Sequence, residues 1–266
     1  MNKENSFYLI GDDYSSEQIR QWYEEEEEAY AQLQGIRLDK SEDFKYKNMD
    51  VLYGYGKIPN KTYQNVLGLG SAWGYEFLPY IDHMGSITII ESSESMISKQ
   101  LGSIVPKYVK ASIQGNIDLP DNSIDLITCF SVLHHIPNVS FVLSELMRVL
   151  KPGGYMLIRE RVHSMELGTN NRVGLTKNER GIPAFYIKQI IERHQGRVFY
   201  YSYHYFMHSY LERKLHGAKF LNSKCFLRID HVLSELFSWN IHYYAKSKIQ
   251  RIAPQSCYYV IRKQIS

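Results

Sequence analysis

Apolar and polar positions along the chain follow two periods. Short runs that are almost wholly apolar stand at Val66-Leu67-Gly68-Leu69, Ile87-Thr88-Ile89-Ile90, Ile124-Asp125-Leu126-Ile127-Thr128-Cys129-Phe130 and Tyr155-Met156-Leu157-Ile158. Runs this short, bounded by Gly, Asn, Asp and Pro, suit strands buried on both faces of a parallel sheet. Between them the spacing becomes helical, most clearly at Phe141, Val142, Leu146, Val149 and Leu150, before Lys151-Pro152-Gly153-Gly154 breaks the helix. The pattern predicts a further strand at Tyr108–Gln114 and helices over Tyr75–Tyr80, from Ser92 toward Gly102, and over Pro183–His194. A sixth strand is expected at Gly196–Tyr201 and a closing one at Cys257–Arg262. Strands alternating with helices mean an α/β chain with a doubly wound, mostly parallel sheet.

Two segments lie outside this alternation. Residues 1–61 form a leader in which Ser15-Ser16-Glu17 starts a helix running to about Leu33. The five successive acids Glu24 to Glu28 would cover every face of that helix, so they predict an exposed surface rather than a metal site. A leader placed before the main domain is positioned to act as a lid. The second segment is an insertion at about 204–254 within the main domain, 62–266, with helical spacing at Leu211–Leu215 and Val232–Phe237. It is far longer than a hairpin needs, and Tyr203, Tyr205, Tyr210, Tyr243 and Tyr244 make it aromatic. It reads as an acceptor-binding cap, or equally as a segment whose tyrosines pack its own core.

Charge changes the picture more than composition does. The chain of 266 residues carries a net charge of only +3, but residues 1–150 carry −9 and residues 151–266 carry +12. A basic, tyrosine-rich second part suits a negatively charged acceptor or surface, or simply a solvated face. Three widely spaced cysteines, Cys129, Cys225 and Cys257, make neither a disulfide framework nor a zinc site. No signal-like start and no apolar run near the roughly 18–20 residues of a membrane span are seen, so a cytoplasmic protein is expected.

Chemistry concentrates at the first apolar run. It passes directly into Gly70-Ser71-Ala72-Trp73-Gly74, small residues that let the backbone turn sharply beneath a bound group. The second run ends in Glu91, 21 residues after Gly70, where a carboxylate can accept from both ribose hydroxyls. An adenosine-containing ligand on a Rossmann-like unit follows. A nicotinamide fingerprint fits poorly, because Trp73 stands where the third glycine belongs.

Four blocks then carry a family resemblance: VLGLGSAWG at 66–74, IIESSESM at 89–96, GNIDLPDNSIDLITCFSVLHHIPN at 115–138 and LMRVLKPGGYMLI at 146–158. In order and spacing they resemble the class I S-adenosylmethionine-dependent methyltransferases. The resemblance implies a seven-stranded, mostly parallel Rossmann-like sheet, S-adenosylmethionine as cofactor and S-adenosylhomocysteine as product. It implies that Gly68, Gly70, Ser71, Ala72 and Gly74 border the methionine moiety and that Glu91, with Ser92 beside it, holds the ribose. Met96, Asn116 and Ile117 would meet the adenine, and Phe130 and Ser131 the methyl-delivering end. The chain departs from the pattern at Gly68, where an acid is usual, at Ala72, where a glycine is usual, and at Asn116, where Asp is common.

Methyl transfer needs an aligned acceptor, excluded water and, for a hydroxyl acceptor, a base. His134 and His135, in the loop after the fourth strand, and His163, near Glu160 after the fifth, are the candidates; each is also readable as a loop-shaping residue. Arg172, Lys177 and Arg180 could hold an anionic acceptor. His204 and His208 lack the Glu of an HExxH motif, so no metal is expected. The expected activity is methylation of an oxygen or nitrogen on a small-molecule, anionic or sugar-like acceptor. The alternatives are an RNA or tRNA methyltransferase, suggested by the +12 part, and a catalytically silent scaffold, suggested by Gly68 and Ala72.

Overall fold

The four apolar runs become the middle of one sheet. The computed structural model describes residues 8–33, 46–162, 178, 180–215 and 218–265. Its strands are β1 (Tyr63–Leu69), β2 (Met84–Glu91), β3 (Lys107–Lys110), β4 (Ile124–Phe130), β5 (Leu150–Arg161), β6 (Gly196–His204) and β7 (Ser256–Lys263), in the order β3-β2-β1-β4-β5-β7-β6. β1 to β5 pair in parallel, and β7 runs antiparallel between β5 and β6. The strand order reverses between β1 and β4, so the carboxyl ends of these two strands flank the crevice where α/β sheets place ligands.

Alternation along each central strand divides the core into two layers. Leu67, Ile127, Cys129, Met156, Ile158, Tyr259 and Ile261 face one side. There they meet α3 (Val139–Val149) through Leu143, Leu146 and Met147, and α4 (Ala184–Arg193) through Ile187, Ile190 and Ile191. Val66, Leu126, Leu157, Tyr258 and Val260 face the other side, against Met49 and Tyr53 of α2 (Lys47–Tyr53), Phe77, and Leu227 of α6 (Lys224–Leu236).

That second layer departs from expectation. The helix predicted over Tyr75–Tyr80 is a 3-10 stretch, Tyr75–His83, broken at Tyr80 and containing Pro79. The proline lacks an N–H and cannot continue α-helical bonding. The helix predicted from Ser92 reduces to the single 3-10 turn Glu94–Met96. The leader and the insertion supply the missing cover: the Tyr53 hydroxyl donates to the Leu227 carbonyl at 3.0 Å, tying α2 to α6. Within the insertion, Asp230 of α6 accepts from the N–H groups of Tyr205, Met207 and His208 and so caps α5 (His208–Leu215). The third strand is shorter than expected, and the leader helix α1 (Ser16–Leu33) spans its predicted range. Among the described residues no helix is long and apolar enough to cross a membrane.

Candidate active site

The glycine turn is held from three sides. Gly70 and Gly74 adopt φ of 61° and 73°, in the left-handed region that glycine tolerates. A Cβ at Gly70 would lie 2.7 Å from a Val132 methyl, so the loop after β4 closes directly on the turn. Ala72 is held at φ 45°, an unfavourable angle for a residue with a side chain. Its N–H donates to Glu91 at 3.0 Å, and its carbonyl accepts from the Tyr108 hydroxyl at 2.9 Å. The other Glu91 oxygen accepts from the N–H groups of Ser92 and Ser93. Glu91 therefore links the first turn to the second while staying partly exposed, and the oxygen facing Ala72 retains acceptor capacity.

The departure at Gly68 has a structural reason. A Cβ there would come within 2.2 Å of Ser71 Oγ and 2.7 Å of Phe77. The space is needed because Ser71 folds back under the turn and donates to Glu76 at 3.0 Å, where Thr128 of β4 also donates, at 2.5 Å. Gly68 pairs with Thr128 across the sheet. An acid is thus present beneath the turn, supplied from position 76. Burial pushes the Glu76 carboxyl up to about 7, the Thr128 and Ser71 hydroxyls only partly opposing it.

Of the expected adenine contacts, Asn116 is exposed and Met96 half-buried. Ile117 is buried in the core, and its backbone is already used: its N–H donates to Glu145 at 3.0 Å and its carbonyl accepts from Arg148 at 2.7 Å. Phe130 is buried at the end of β4, whereas Ser131 is exposed and held at φ 61°. Arg159 fixes that angle, its carbonyl accepting from the Ser131 N–H at 2.7 Å and its guanidinium donating to Ser131 Oγ at 3.1 Å. Arg159 pairs in turn with Asp50 of α2 at 3.3 Å and lies 3.9 Å from the Tyr46 ring centroid. Burial raises the Asp50 carboxyl to about 6, with Arg159 opposing.

The histidines separate. His134 is buried and its Nδ1 is bonded to Glu160. The second Glu160 oxygen accepts from the N–H groups of Val132 and Leu133. Burial disfavours the Glu160 charge, but His134 and the Arg161 N–H hold its carboxyl below the usual range. This unit ties the loop after β4 to β5. His163, Arg172 and Lys177 lie outside the described residues. His135 is only partly buried, and its Nδ1 lies 2.9 Å from Glu26 of α1. Burial, then His134, lowers its pKa, so it is largely neutral at pH 7. Glu26 is buried, so the five-acid run is not wholly an exposed face. Trp22, one turn earlier on α1, donates to the His135 carbonyl at 2.8 Å. His204 is buried against the Tyr53 ring at 4.1 Å, and among the described residues no group of three or more His, Cys, Asp or Glu is placed to hold a metal.

The histidine–carboxylate pair, Glu76, Asp50 and Arg159 are the parts that sequence reasoning missed. Only the charge at 76, set in an apolar run, gave a signal.

In a comparison with known proteins, residues 67–158 match the family model described as a methyltransferase domain. Over 89 residues the chain is 35% identical to the sterol 24-C-methyltransferase of Yarrowia lipolytica, covering 31% of this chain and 23% of that protein. Over 107 residues it is 31% identical to the ubiquinone/menaquinone biosynthesis C-methyltransferase UbiE of Psychromonas ingrahamii, covering 36% and 42% respectively. The chain thus spans less than half the length of these curated relatives. Among solved structures, a Haemonchus contortus phosphoethanolamine N-methyltransferase 2 in complex with S-adenosyl-L-methionine aligns with a TM-score of 0.56 at 17% identity, over 85% of this chain and 56% of that one. The cyclase SpnF aligns with a TM-score of 0.55 at 14% identity, over 83% and 81%. These likenesses establish a shared fold.

Proposed function

We propose that the protein, whose residues 67–158 match a methyltransferase-domain model, is a class I S-adenosylmethionine-dependent methyltransferase acting on an oxygen or nitrogen of a small-molecule acceptor. The observation that carries this reading is the Glu91 carboxylate bonded to the glycine turn at the switch point of the sheet. The residues present suit the cofactor. Glu91 keeps an open acceptor for the ribose, Gly70, Ala72 and Gly74 bring backbone close, and Asn116 and Met96 stand exposed or half-exposed for the adenine. Ser131, held out by Arg159, borders the methionine end. The cofactor supplies an electrophilic methyl group on a sulfonium.

The chain's own residues supply alignment and proton removal. His135, neutral and oriented by Glu26, accepts a proton from the acceptor, and Glu26 steadies the imidazolium that forms. The 1–61 leader, which contributes Trp22, Glu26 and Asp50 around the sheet's carboxyl end, shields this chemistry from water, with the insertion as the second wall. A second reading is carbon methylation, favoured by the names of the sterol and ubiquinone relatives. The same base would then serve a neighbouring hydroxyl or the carbon that receives the methyl.

Calorimetry with S-adenosylmethionine and S-adenosylhomocysteine tests the core of the proposal. Saturable binding of both is expected. Absence of binding at millimolar ligand would leave only a silent member of the fold, an outcome the cyclase neighbour makes physically reasonable.

A further inference from the structure

Arg180 is 2% exposed, yet only its Nη2 is satisfied, donating to the Ile136 and Pro137 carbonyls at 2.7 and 3.0 Å. Its Nε and Nη1 are buried and make no hydrogen bond among the described residues. No described carboxylate lies within ion-pair distance. Asp12 exerts its field from farther away, and its two oxygens are engaged by the Ser140 N–H and the Tyr186 hydroxyl. Burial draws the Arg180 pKa down, as it does for a cation removed from water without a close counter-charge. A buried guanidinium with open donors is unfavourable unless an anion completes it.

The surroundings say where that anion would lie. Arg180 lines a cavity of about 190 Å³ together with Ile10, Tyr14, Trp22, Asn178 and Tyr244. Its guanidinium stands 4.9 Å from the Trp22 ring centroid, and Tyr14 meets Trp22 edge-on at 6.0 Å. Three aromatic side chains from the leader and the insertion thus enclose one charge. The geometry points to this cavity as the seat of an organic anion, its carboxylate or phosphate drawn to the uncompensated Arg180 guanidinium that lines it and its flat body against Trp22, Tyr14 and Tyr244. A guanidinium with free donors matches an oxyanion, and aromatic walls match a ring. The carbonyls that hold Arg180 belong to the two residues directly after His135. Resting on the methyltransferase reading, the anion is then the handle of the methyl acceptor, seated beside the base.

The test is calorimetry on the full chain with benzoate, phenyl phosphate and the neutral, similarly shaped benzamide, alongside S-adenosylmethionine. At least one anion should bind tenfold or more tightly than benzamide, and the better of the two distinguishes a carboxylate from a phosphate handle. Arg180→Met should erase that preference while leaving S-adenosylmethionine affinity within about twofold. Should Arg180→Met not fold, Tyr244→Leu is the second variant. It should weaken benzoate severalfold and leave acetate unchanged, because it removes a ring and no charge. Equal affinity for benzoate, phenyl phosphate and benzamide, or an anion preference that survives Arg180→Met, would overturn the inference. Loss of S-adenosylmethionine binding with the anion preference intact would sink the methyltransferase reading alone.

Discussion

Replacing Glu76 by Gln tests the buried acid beneath the glycine turn. In the folded chain its carboxyl ionises near pH 7, against an ordinary 4.5. Between those values the folded chain keeps a proton that the unfolded chain releases, so stability falls as pH rises through 4.5 to 7 and levels off above. At about 1.4 kcal/mol per pKa unit, the ionised acid destabilises the fold by roughly 3 kcal/mol above pH 7. Gln keeps an oxygen for the Ser71 and Thr128 hydroxyls and cannot ionise. Its amide N–H₂ replaces an oxygen and brings a donor in need of a partner, a loss of about 1 kcal/mol. The variant should therefore be about 1 kcal/mol less stable than the wild type at pH 4 and about 2 kcal/mol more stable at pH 8.5. In a chain of this size that swing moves the relative Tm by roughly 6–12 °C. Thermal melts of both proteins across this range read it directly. Asp50 also ionises late, near pH 6, but it is present in both proteins and largely cancels in their difference. A variant-minus-wild-type difference that stays flat or falls with pH would refute the assignment of a buried, proton-holding Glu76.

Other perturbations probe the neighbouring contacts. Gly68→Asp, which restores the acid usual in the family, should destabilise by about 1–3 kcal/mol in urea melts, because its Cβ meets Ser71 and Phe77. Glu91→Ala should weaken S-adenosylmethionine binding about tenfold or more by calorimetry, since it removes a charged acceptor and the link to Ala72. Unchanged affinity would remove Glu91 from the cofactor site. His135→Ala should lower kcat by about 10²–10⁴-fold on an accepted substrate. Glu26→Gln should shift the acid limb of the pH–rate profile downward, because Glu26 raises the His135 pKa against burial. An acid limb that stays in place would exclude that pair as the base. Asp50→Asn should lower stability by about 3–5 kcal/mol, as it leaves Arg159 buried without its counter-charge.

The site was legible in unequal parts. The turn at Gly70–Gly74 and the acid at Glu91 stand out in the chain because both are local: a backbone angle and the residue ending a strand depend on near neighbours. Tyr75–His83 misled because its apolar spacing is helical, while Pro79 and the kink at Tyr80 prevent α-helical bonding. His134 and His135 are adjacent and indistinguishable by type. Glu160 of β5 takes one into the core, and Glu26 of α1, 109 residues away, holds the other near the surface. A run of five glutamates does not announce which member turns inward.

The sheet was readable along the chain, because short, almost wholly apolar runs buried on both faces admit few arrangements. The tight turn at Gly70–Gly74 was likewise readable, because only small residues allow that backbone. Only long-range contacts placed what lies around it: the leader and insertion covering the second face, the acid at 76 in place of one at 68, Glu26 against His135, and the buried cation at Arg180. These depend on contacts between residues distant in the chain, where burial and not residue type determines whether a charge is solvated, paired or left for a ligand.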